Sequence, residues 1–255
     1  MDNQLTLTAL PNIPLIQRGD DLAAIILRGL TDAPIALADG DVIVLAQKIV
    51  SKAEGRMVRL RDVTPSPRAR ELAQQTGKDA RFCEVVLWDM REIVRVREGL
   101  LIVETHQGWV CANAGIDRSN VAPHDDEEWI LRLPEDADRS ACDLRARLRD
   151  ASGCDVGIVI NDTHGRAWRN GAIGIAIGVA GIPALEDLRG QPDLFGYHLQ
   201  VTVVGLADQI ASAASLLQGQ ADEGRPIVHA RGIPFSQRDG AAREIVRAKE
   251  MDLFR

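Results

Sequence analysis

The sequence has few of the features that mark metal knuckles, disulfide scaffolds or membrane spans. Its 255 residues include only four cysteines, at positions 83, 111, 142 and 154, and none are spaced as Cys-x-x-Cys. We therefore expect buried free thiols rather than a zinc knuckle or a disulfide framework. No apolar run approaches the roughly 20 residues that a membrane-spanning helix needs, and residues 1–14 do not resemble a leader peptide. These absences favour a soluble, cytoplasmic protein without a membrane partner.

An excess of basic residues is also absent. The net charge is −7, from 37 acidic and 30 basic residues, so we expect no non-specific attraction to nucleic acid. Hydrophobic residues make up 45% of the chain and charged residues 26%, which is ordinary for an enzyme that buries a substantial core. An anionic ligand would therefore need a local basic pocket.

The familiar nucleotide and hydrolase signatures are missing as well. The chain has no Walker loop, no kinase-like Gly-x-Gly-x-x-Gly loop and no Gly-x-Ser-x-Gly elbow. Strand and helix patterns are intermixed without the regular alternation of a doubly wound sheet. The pattern favours an α+β fold with mixed sheets and packed helices.

The apolar periodicity places the main elements along the chain. Strands are predicted over residues 5–10, 42–46, 156–160 and 198–204, with a hairpin over residues 93–103. Helices are predicted over residues 22–30, 67–75, 143–150 and 208–218. Polar segments that follow apolar strands, at residues 113–120 and 161–170, are predicted as loops.

Oxygen-bearing side chains cluster in these polar segments. Asp117, Asp162 and the side chains near Gln209 are hard donors, which suit magnesium or manganese better than zinc. Ligand sites favour loops that follow strands, which supports this interpretation. The alternative is that each aspartate caps a helix or a turn.

Two groups of basic residues are candidates for an anion site. Lys48, Lys52 and Arg56 recur at steps of four and so share one side of a helix or a strand. Arg166 and Arg169 lie in a predicted loop, where planar guanidinium groups clamp phosphate or carboxylate. The alternative for both groups is a solvated surface with ordinary ion pairs.

Four blocks in fixed order carry a resemblance to a known family. They read GDVIVLAQKIVSKAEGR at residues 40–56, NAGIDRSN at 113–120, NDTHGRAWR at 161–169 and ADQIASAA at 207–214. Together with the ending DLFR at 252–255, they resemble the coenzyme F-420 precursor gamma-glutamyl ligases from about residue 10 to residue 255.

The resemblance implies an activity, cofactors and partners. Members of that family join L-glutamate, through its amine, to the carboxylate of a deazaflavin precursor, and they convert GTP to GDP and phosphate. The resemblance also implies magnesium or manganese, potassium, and an unusual mixed fold that forms an intertwined homodimer. We accordingly expect a single ligase unit over residues 1–255, with room for two subdomains, and no appended flavin domain.

The resemblance also assigns site residues. It implies divalent-metal binding by Asp117, Asp162, Thr163 and Gln209. The attacking amine also needs an acid-base partner, for which Asp162 and His164 are alternatives, and Arg166 and Arg169 complete the predicted catalytic residues. The resemblance implies nucleotide contacts from Ile13, Pro14, Leu15, Ile16, Gln47, Lys48, Lys52, Asn120, Ala207, Asp208, Gln209, Ile210, Ala211, Ser212, Ala213 and Ala214. Two positions depart from the family pattern: Asn161 stands where serine is expected, and Gln47 stands where serine or threonine is more frequent. Gln47 leaves the choice between GTP and ATP open.

Two other functions remain open at this stage. One is a nucleotide-dependent ligase that amidates a different acid. The other is a nucleotide-binding protein without catalysis, which would bind nucleotide but not turn it over.

Overall fold

The computed structural model describes residues 4–121, 127–236 and 238–252, and these divide into two compact units. Unit 1 comprises residues 1–15, 21–47 and 136–245, and unit 2 comprises residues 16–20, 48–135 and 246–255, each within the described ranges. The helices and strands combine in several mixed sheets, so the predicted α+β class is confirmed.

The strands fall into four sheets. Those of unit 1 are β1 (Thr6–Ala9), β2 (Val42–Ala46), β8 (Gly157–Arg166), β9 (Arg169–Ala180), β10 (Glu186–Asp187), β11 (Val203–Val204) and β12 (Ile227–Arg231). Those of unit 2 are β3 (Met57–Arg59), β4 (Met90–Arg97), β5 (Leu100–Thr105), β6 (Val110–Ala112) and β7 (Trp129–Leu131).

The helices flank these sheets. Unit 1 contains α1 (Leu22–Asp32), α5 (Ala137–Ser152) and α6 (Leu206–Gln218). Unit 2 contains α3 (Pro67–Thr76) and α4 (Ala80–Asp89), and α2 (Gln47–Ala53) belongs to it from residue 48 onward. No helix of the described ranges combines the length and the apolar composition that a membrane crossing requires.

A five-stranded sheet in the order β1-β12-β2-β8-β9 organises unit 1. Its centre is the parallel pair of β2 and β8, in which Val42 faces Gly157 and Ala46 faces Asn161. The first four residues of β2 are buried, as expected for a continuous apolar run covered on both faces. The predicted strands over residues 42–46 and 156–160 are thus confirmed.

Capping residues delimit the helices much as the sequence predicts. Asp21 accepts a hydrogen bond from the backbone N–H of Ala24 and starts α1. Gly77 ends α3 with a positive φ of 69°, and Gly153 ends α5 with a φ of 74°. The helix predicted over residues 143–150 extends further toward its N-terminus, because Asp136 caps it there.

The loop predicted over residues 161–170 is wrong. Residues 161–166 continue β8 and pair with β9, and Arg166 faces Arg169 at the end of this long hairpin. The prediction failed because it equated polar side chains with a loop. Antiparallel strands with a solvated face carry polar side chains, and residues 161–166 pair with β9 in this way.

The strand predicted over residues 198–204 is also wrong for most of its length. Val203–Val204 pair with the two residues of β10, and His198 forms an isolated bridge with Pro192. Leu199 is partly buried, whereas Val201 is exposed at 85%. The prediction failed because residues 199 and 202 form only scattered backbone hydrogen bonds with residues 188–191, not the regular ladder that defines a strand.

Unit 2 is built on the sheet β4-β5-β6 and the helices α3 and α4. The predicted hairpin is confirmed, since Arg97 pairs with Leu100 across the turn at Gly99. Leu72 of α3, Phe82 and Val86 of α4, and Leu101 of β5 are buried in one apolar cluster. Sequence patterns did not reveal α4, which Asp79 caps.

A buried carboxylate ties the start of β2 to β12. Asp41 accepts two hydrogen bonds of 2.7 Å from the guanidinium of Arg231 and one of 2.9 Å from the backbone N–H of Ala38. His229 Nε2 lies 2.9 Å from the same carboxylate. Burial would raise the pKa of Asp41, but these donors outweigh it and hold that pKa well below its ordinary value of 3.8.

This network predicts an acid-sensitive part of the stability. A carboxyl with a depressed pKa stabilises the fold above its unfolded pKa of about 3.9, and the contribution is lost as the pH falls toward the lower folded value. Asp41→Asn should reduce the free energy of unfolding by about 2 kcal/mol at pH 7, because the half-exposed Arg231 loses its charged acceptor. The deficit should shrink below about pH 4.

Urea unfolding at neutral and acidic pH measures this difference. Asp143→Asn, at an exposed position of α5, is the matched control and should change little. An Asp41→Asn deficit that stayed constant from pH 7 to about pH 3 would contradict the role given to the Asp41 charge.

Candidate functional site

Several of the predicted polar residues of unit 1 lie where strand β2 ends. β2 ends at Ala46, which faces Asn161 of β8, and the chain turns directly into α2 at Gln47. β8 continues past the end of β2 with β9 alone as its paired strand. Asn161 therefore lies level with the end of β2, and residues 162–164 project beyond it, where a parallel pair opens to ligands.

Strand alternation divides the four side chains of this segment between two faces. Asn161 Nδ2 donates to Gln218 Oε1 at 2.6 Å, and the Thr163 hydroxyl donates to Gln220 Oε1 at 3.1 Å. Asp162 and His164 lie on the other face, where Asp162 Oδ2 is 2.9 Å from His164 Nε2.

This division bears on the predicted metal ligands. The side chains of Asp162 and Thr163 face opposite sides of β8, so Thr163 can join Asp162 at one cation only through its backbone carbonyl. Within the described ranges, Asp162 Oδ1 and the exposed Gln209 side chain make no protein hydrogen bond. Their oxygens therefore have no protein partner that a ligand would need to displace.

A β-bulge places the first turn of α6 beside this segment. Ile160 pairs with Gly178 and Asn161 with Ala176, which leaves Ile177 as the extra residue of β9. The backbone N–H of Ala176 then donates to Asp208 Oδ1 at 2.9 Å. Burial raises the pKa of Asp208, against the opposing effects of this hydrogen bond and of the His164 charge.

Small residues let α6 approach β9 closely. Ala207, Ala211 and Ala214 are fully buried on its inner face. At Gly174 of β9, an added Cβ would lie 2.7 Å from the Ala211 carbonyl oxygen and 2.5 Å from Ser215 Oγ. The sheet and the helix are thus packed in direct backbone contact, which fixes the height of α6 above β8.

The predicted nucleotide-contact loop that follows β1 is partly exposed. Leu15 is exposed at 89% and Pro14 is also exposed, whereas Ile13 packs toward Gly29 of α1. These residues belong to unit 1, but the buried Ile16 belongs to unit 2.

Gln47 at the start of α2 is buried and belongs to unit 1, and unit 2 holds the other predicted contacts around this helix. Lys48 Nζ donates to the backbone oxygen and the hydroxyl of Ser119 at 3.1 Å and lies 3.3 Å from Asp117 Oδ1. Lys52 Nζ donates to the backbone oxygen of Asn120 at 2.7 Å. Burial and the neighbouring Lys48 charge lower the pKa of Lys52. Structure therefore brings Lys48, Lys52, Asp117 and Asn120 together.

The loop that carries Asp117 begins with an unusual backbone. Asn113, Ala114 and Gly115 have φ values of 54°, 56° and 70° in succession, a left-handed turn that only glycine adopts without strain. Such strain persists where the surrounding structure enforces it, and it clusters at functional sites. Asp117 then forms a two-way backbone bridge with Leu131, which fixes the direction of the loop.

The basic groups predicted as anion sites have separate surroundings. Lys48 and Lys52 share one face of α2, but Arg56 follows the end of that helix and donates from Nε to the carbonyl of Leu133. Arg166 donates to the carbonyls of Asn170 and Gly171 and so braces its own hairpin turn. Arg169 is exposed beside it.

The described residues contain no cluster of three or more His, Cys, Asp and Glu side chains arranged around a common cation position. In unit 1 the candidate donors are instead one carboxylate, Asp162, and the amide of Gln209. This oxygen set fits a hard divalent cation that keeps water or phosphate ligands. It does not fit zinc, which prefers sulfur and imidazole.

The family can now be assigned. The sequence model of the family described as F420-0:Gamma-glutamyl ligase matches residues 11–232, which include the whole of the described sheet edge, α2 and α6. The chain belongs to this family. The ending at residues 252–255, which also resembles the family, extends past the match, and its last three residues lie outside the described ranges.

Named relatives align with this family member over nearly their full length. The coenzyme F420:L-glutamate ligase of Methanothermobacter thermautotrophicus is 44% identical over 98% of this chain and 99% of the relative. That of Methanopyrus kandleri is 48% identical over 94% and 93%. That of Archaeoglobus fulgidus is 42% identical over 95% and 93%.

Two functional features of this family member escaped sequence reasoning. The glutamines Gln218 and Gln220 position the 161–163 segment from the far end of α6, and only their polar type at a helix end hints at this. Nor does the sequence reveal the buried amide oxygen of Asn161, which has no hydrogen-bond partner among the described residues. Both depend on contacts between residues far apart in sequence.

The close approach at Gly174 yields a prediction. Gly174→Ala should lower the free energy of unfolding by about 1–3 kcal/mol, because the new methyl group meets backbone and side-chain atoms that must shift. Gly165→Ala in the same hairpin is the matched control, since its added Cβ meets no atom within 4 Å. Urea unfolding compares the two, and equal stabilities would contradict the packing constraint.

Proposed function

We propose that this protein joins L-glutamate, through its amine, to the carboxylate of the deazaflavin precursor of coenzyme F420, after GTP has activated that carboxylate as an acyl phosphate. The support is full-length similarity to enzymes named coenzyme F420:L-glutamate ligase. The observation that carries the proposal is the polar 161–164 segment, displayed at the end of a parallel strand pair beside the first turn of α6.

The chemistry explains why activation is needed. A carboxylate is negatively charged and has no good leaving group, so an amine does not attack it. In the proposed reaction a carboxylate oxygen attacks the γ-phosphorus, and GDP leaves. The amine nitrogen then attacks the acyl carbon, phosphate leaves with the original carboxylate oxygen, and a base takes the amine proton.

Residues of both units have roles in this proposal. Asp162 and Gln209 offer oxygen donors to magnesium or manganese, which neutralises charge on the transferring phosphoryl group. Thr163 contributes through its backbone, and Asp117 remains a predicted ligand within unit 2. Potassium stays a prediction that rests on the family resemblance.

The nucleotide contacts follow from the same proposal. Lys48 and Lys52 present ammonium groups on one face of α2, and residues 207–214 present the first turns of α6. Helix N-termini favour anions through their unpaired N–H groups. Either Asp162 or His164 accepts the amine proton, since the two form one hydrogen-bonded pair.

The direct test is incubation of the protein with deazaflavin precursor, L-glutamate, manganese and either GTP or ATP, followed by mass analysis. A product heavier by one glutamate residue, formed with GTP, supports the proposal. Turnover with another acid, or nucleotide binding without any product, would support one of the other two functions instead.

Removing the carboxylate charges should abolish ligation without unfolding the chain. Asp162→Asn and Asp117→Asn should each lower turnover by at least roughly a hundredfold, because a neutral amide binds a divalent cation poorly. Calorimetric titration with manganese should show weaker binding in parallel. Asp150→Asn on the surface of α5 is the control, and wild-type turnover of either variant at limiting metal would exclude that residue as a ligand.

The proposal includes a homodimer, supported by the apolar residues of the segment 188–202, which connects β10 to β11. Leu194, Phe195 and Val201 are exposed at 98%, 95% and 85%, and Tyr197 at 61%. The side chain of Asp193 stabilises the turn at residues 193–197, because it accepts hydrogen bonds from the backbone N–H groups of Phe195 and Tyr197. Several large apolar side chains exposed within one short segment are typical of a protein interface, and a second copy of the chain is the partner proposed.

The double variant Leu194→Ser with Phe195→Ser should weaken the dimer by roughly a hundredfold or more, because two apolar side chains lose their burial. Sedimentation velocity over a range of concentrations measures this. Arg189→Gln, in the same segment but close to β10, is the control. A double variant that stayed dimeric at the wild-type concentration dependence would place the interface elsewhere.

A further inference from the structure

Unit 2 contains a cavity of about 330 Å³ whose lining includes none of the predicted metal, nucleotide or catalytic residues, although Arg56 of the predicted basic row lies in its wall. Its wall includes Arg56, Trp88, Asp89, Arg132 and Glu135. The volume is at the small end of the range for ligand pockets, which is too small for a deazaflavin or a nucleotide but sufficient for an amino acid.

Two guanidinium groups share a single partly buried carboxylate in this cavity. Arg132 forms a two-pronged ion pair with Asp89, with Nε 2.7 Å from Oδ2 and a terminal nitrogen on Oδ1. The Arg132 guanidinium also lies 5.6 Å from the centre of the Trp88 ring, which holds its plane. Asp89 is thus already neutralised by Arg132.

Arg56 is left with unused donors. Its Nε donates to the Leu133 carbonyl, but its terminal nitrogens lie 3.6 Å from Asp89 and 3.9 Å from Glu135, beyond hydrogen-bond length. Within the described residues these terminal N–H groups have no closer acceptor, although the side chain is only 17% exposed. A planar guanidinium in such a setting favours a carboxylate, which accepts two parallel hydrogen bonds.

The cavity wall also includes an acidic side chain, that of Glu135. The carboxylate of Glu135 is 88% exposed and lies beside Arg56. It repels a simple anion but attracts an ammonium group. A cationic wall next to an anionic group matches a zwitterion, an amino acid that carries both a carboxylate and an ammonium group.

We propose that this cavity binds an amino acid, with its carboxylate on Arg56 beside Arg132 and its ammonium group near Glu135. The identity of that amino acid rests on the proposed function, in which it is L-glutamate, the amine-bearing substrate. The ligand forms no covalent bond to the cavity.

Calorimetric titration of the intact protein with L-glutamate, without nucleotide or deazaflavin, tests the proposal. Arg56→Gln should weaken glutamate binding about tenfold, because a charge-assisted pair is lost, and Arg56→Lys should restore part of it. Arg139→Gln, at an exposed position of α5, is the control and should bind as wild type. Thermal melting shows whether each variant is folded.

Glutarate, which lacks the amine, gives a second and opposite readout. Glu135→Gln should weaken glutamate binding severalfold but strengthen glutarate binding, because the same carboxylate attracts the ammonium group and repels the simple dianion. Glutamate binding that is unchanged in Arg56→Gln, or equal responses of the two ligands to Glu135→Gln, would overturn the proposal. So would an absence of glutamate binding to the wild-type protein at millimolar concentration.

Failure of this site and failure of the proposed function are distinguishable. If ligation occurs but the glutamate KM is the same in Arg56→Gln and wild type, the proposed ligase function is supported and the proposed binding site is excluded. If glutamate binds in an Arg56-dependent manner but no ligation product forms, the cavity assignment stands and the ligase falls.

Discussion

The parallel pairing of β2 with β8 is the constraint on which unit 1 depends. Because Ala46 faces Asn161, the chain leaves β2 for α2 at the same level at which β8 changes from apolar to polar side chains. The Ile177 bulge in β9 then releases a backbone N–H that fixes Asp208. A shift of one residue in the register would exchange the faces of Asp162 and Thr163 and separate the polar groups.

Close packing turns this register into a fixed geometry. α6 rests on the backbone of Gly174 and contacts β8 through Gln218, so the helix has little freedom to move along the sheet. Unit 2 uses a different device, since Lys48 and Lys52 clamp the loop that carries Asp117 by binding its backbone and side chain oxygens. In unit 2 the two ammonium groups thus hold the loop of Asp117 in place.

The sequence predicted much of the fold where local signals were strong. The caps at Asp21, Gly77 and Gly153 and the buried run of β2 are local features that need no knowledge of distant contacts. It failed at residues 161–170 because a polar segment in a strand is recognisable only from its partner, β9. For the site, sequence blocks identified the residues, but the opposite orientation of Asp162 and Thr163 and the supporting role of Gln218 required the three-dimensional register.

The acyl phosphate is the central chemical claim, and oxygen-18 in the precursor carboxylate tests it most directly. Activation by phosphoryl transfer makes that oxygen the bridge to phosphorus, so it must leave with phosphate when the amine attacks. The account predicts one oxygen-18 atom in the inorganic phosphate for each amide formed from a fully labelled carboxylate. Unlabelled phosphate, formed together with a labelled amide product, would contradict it.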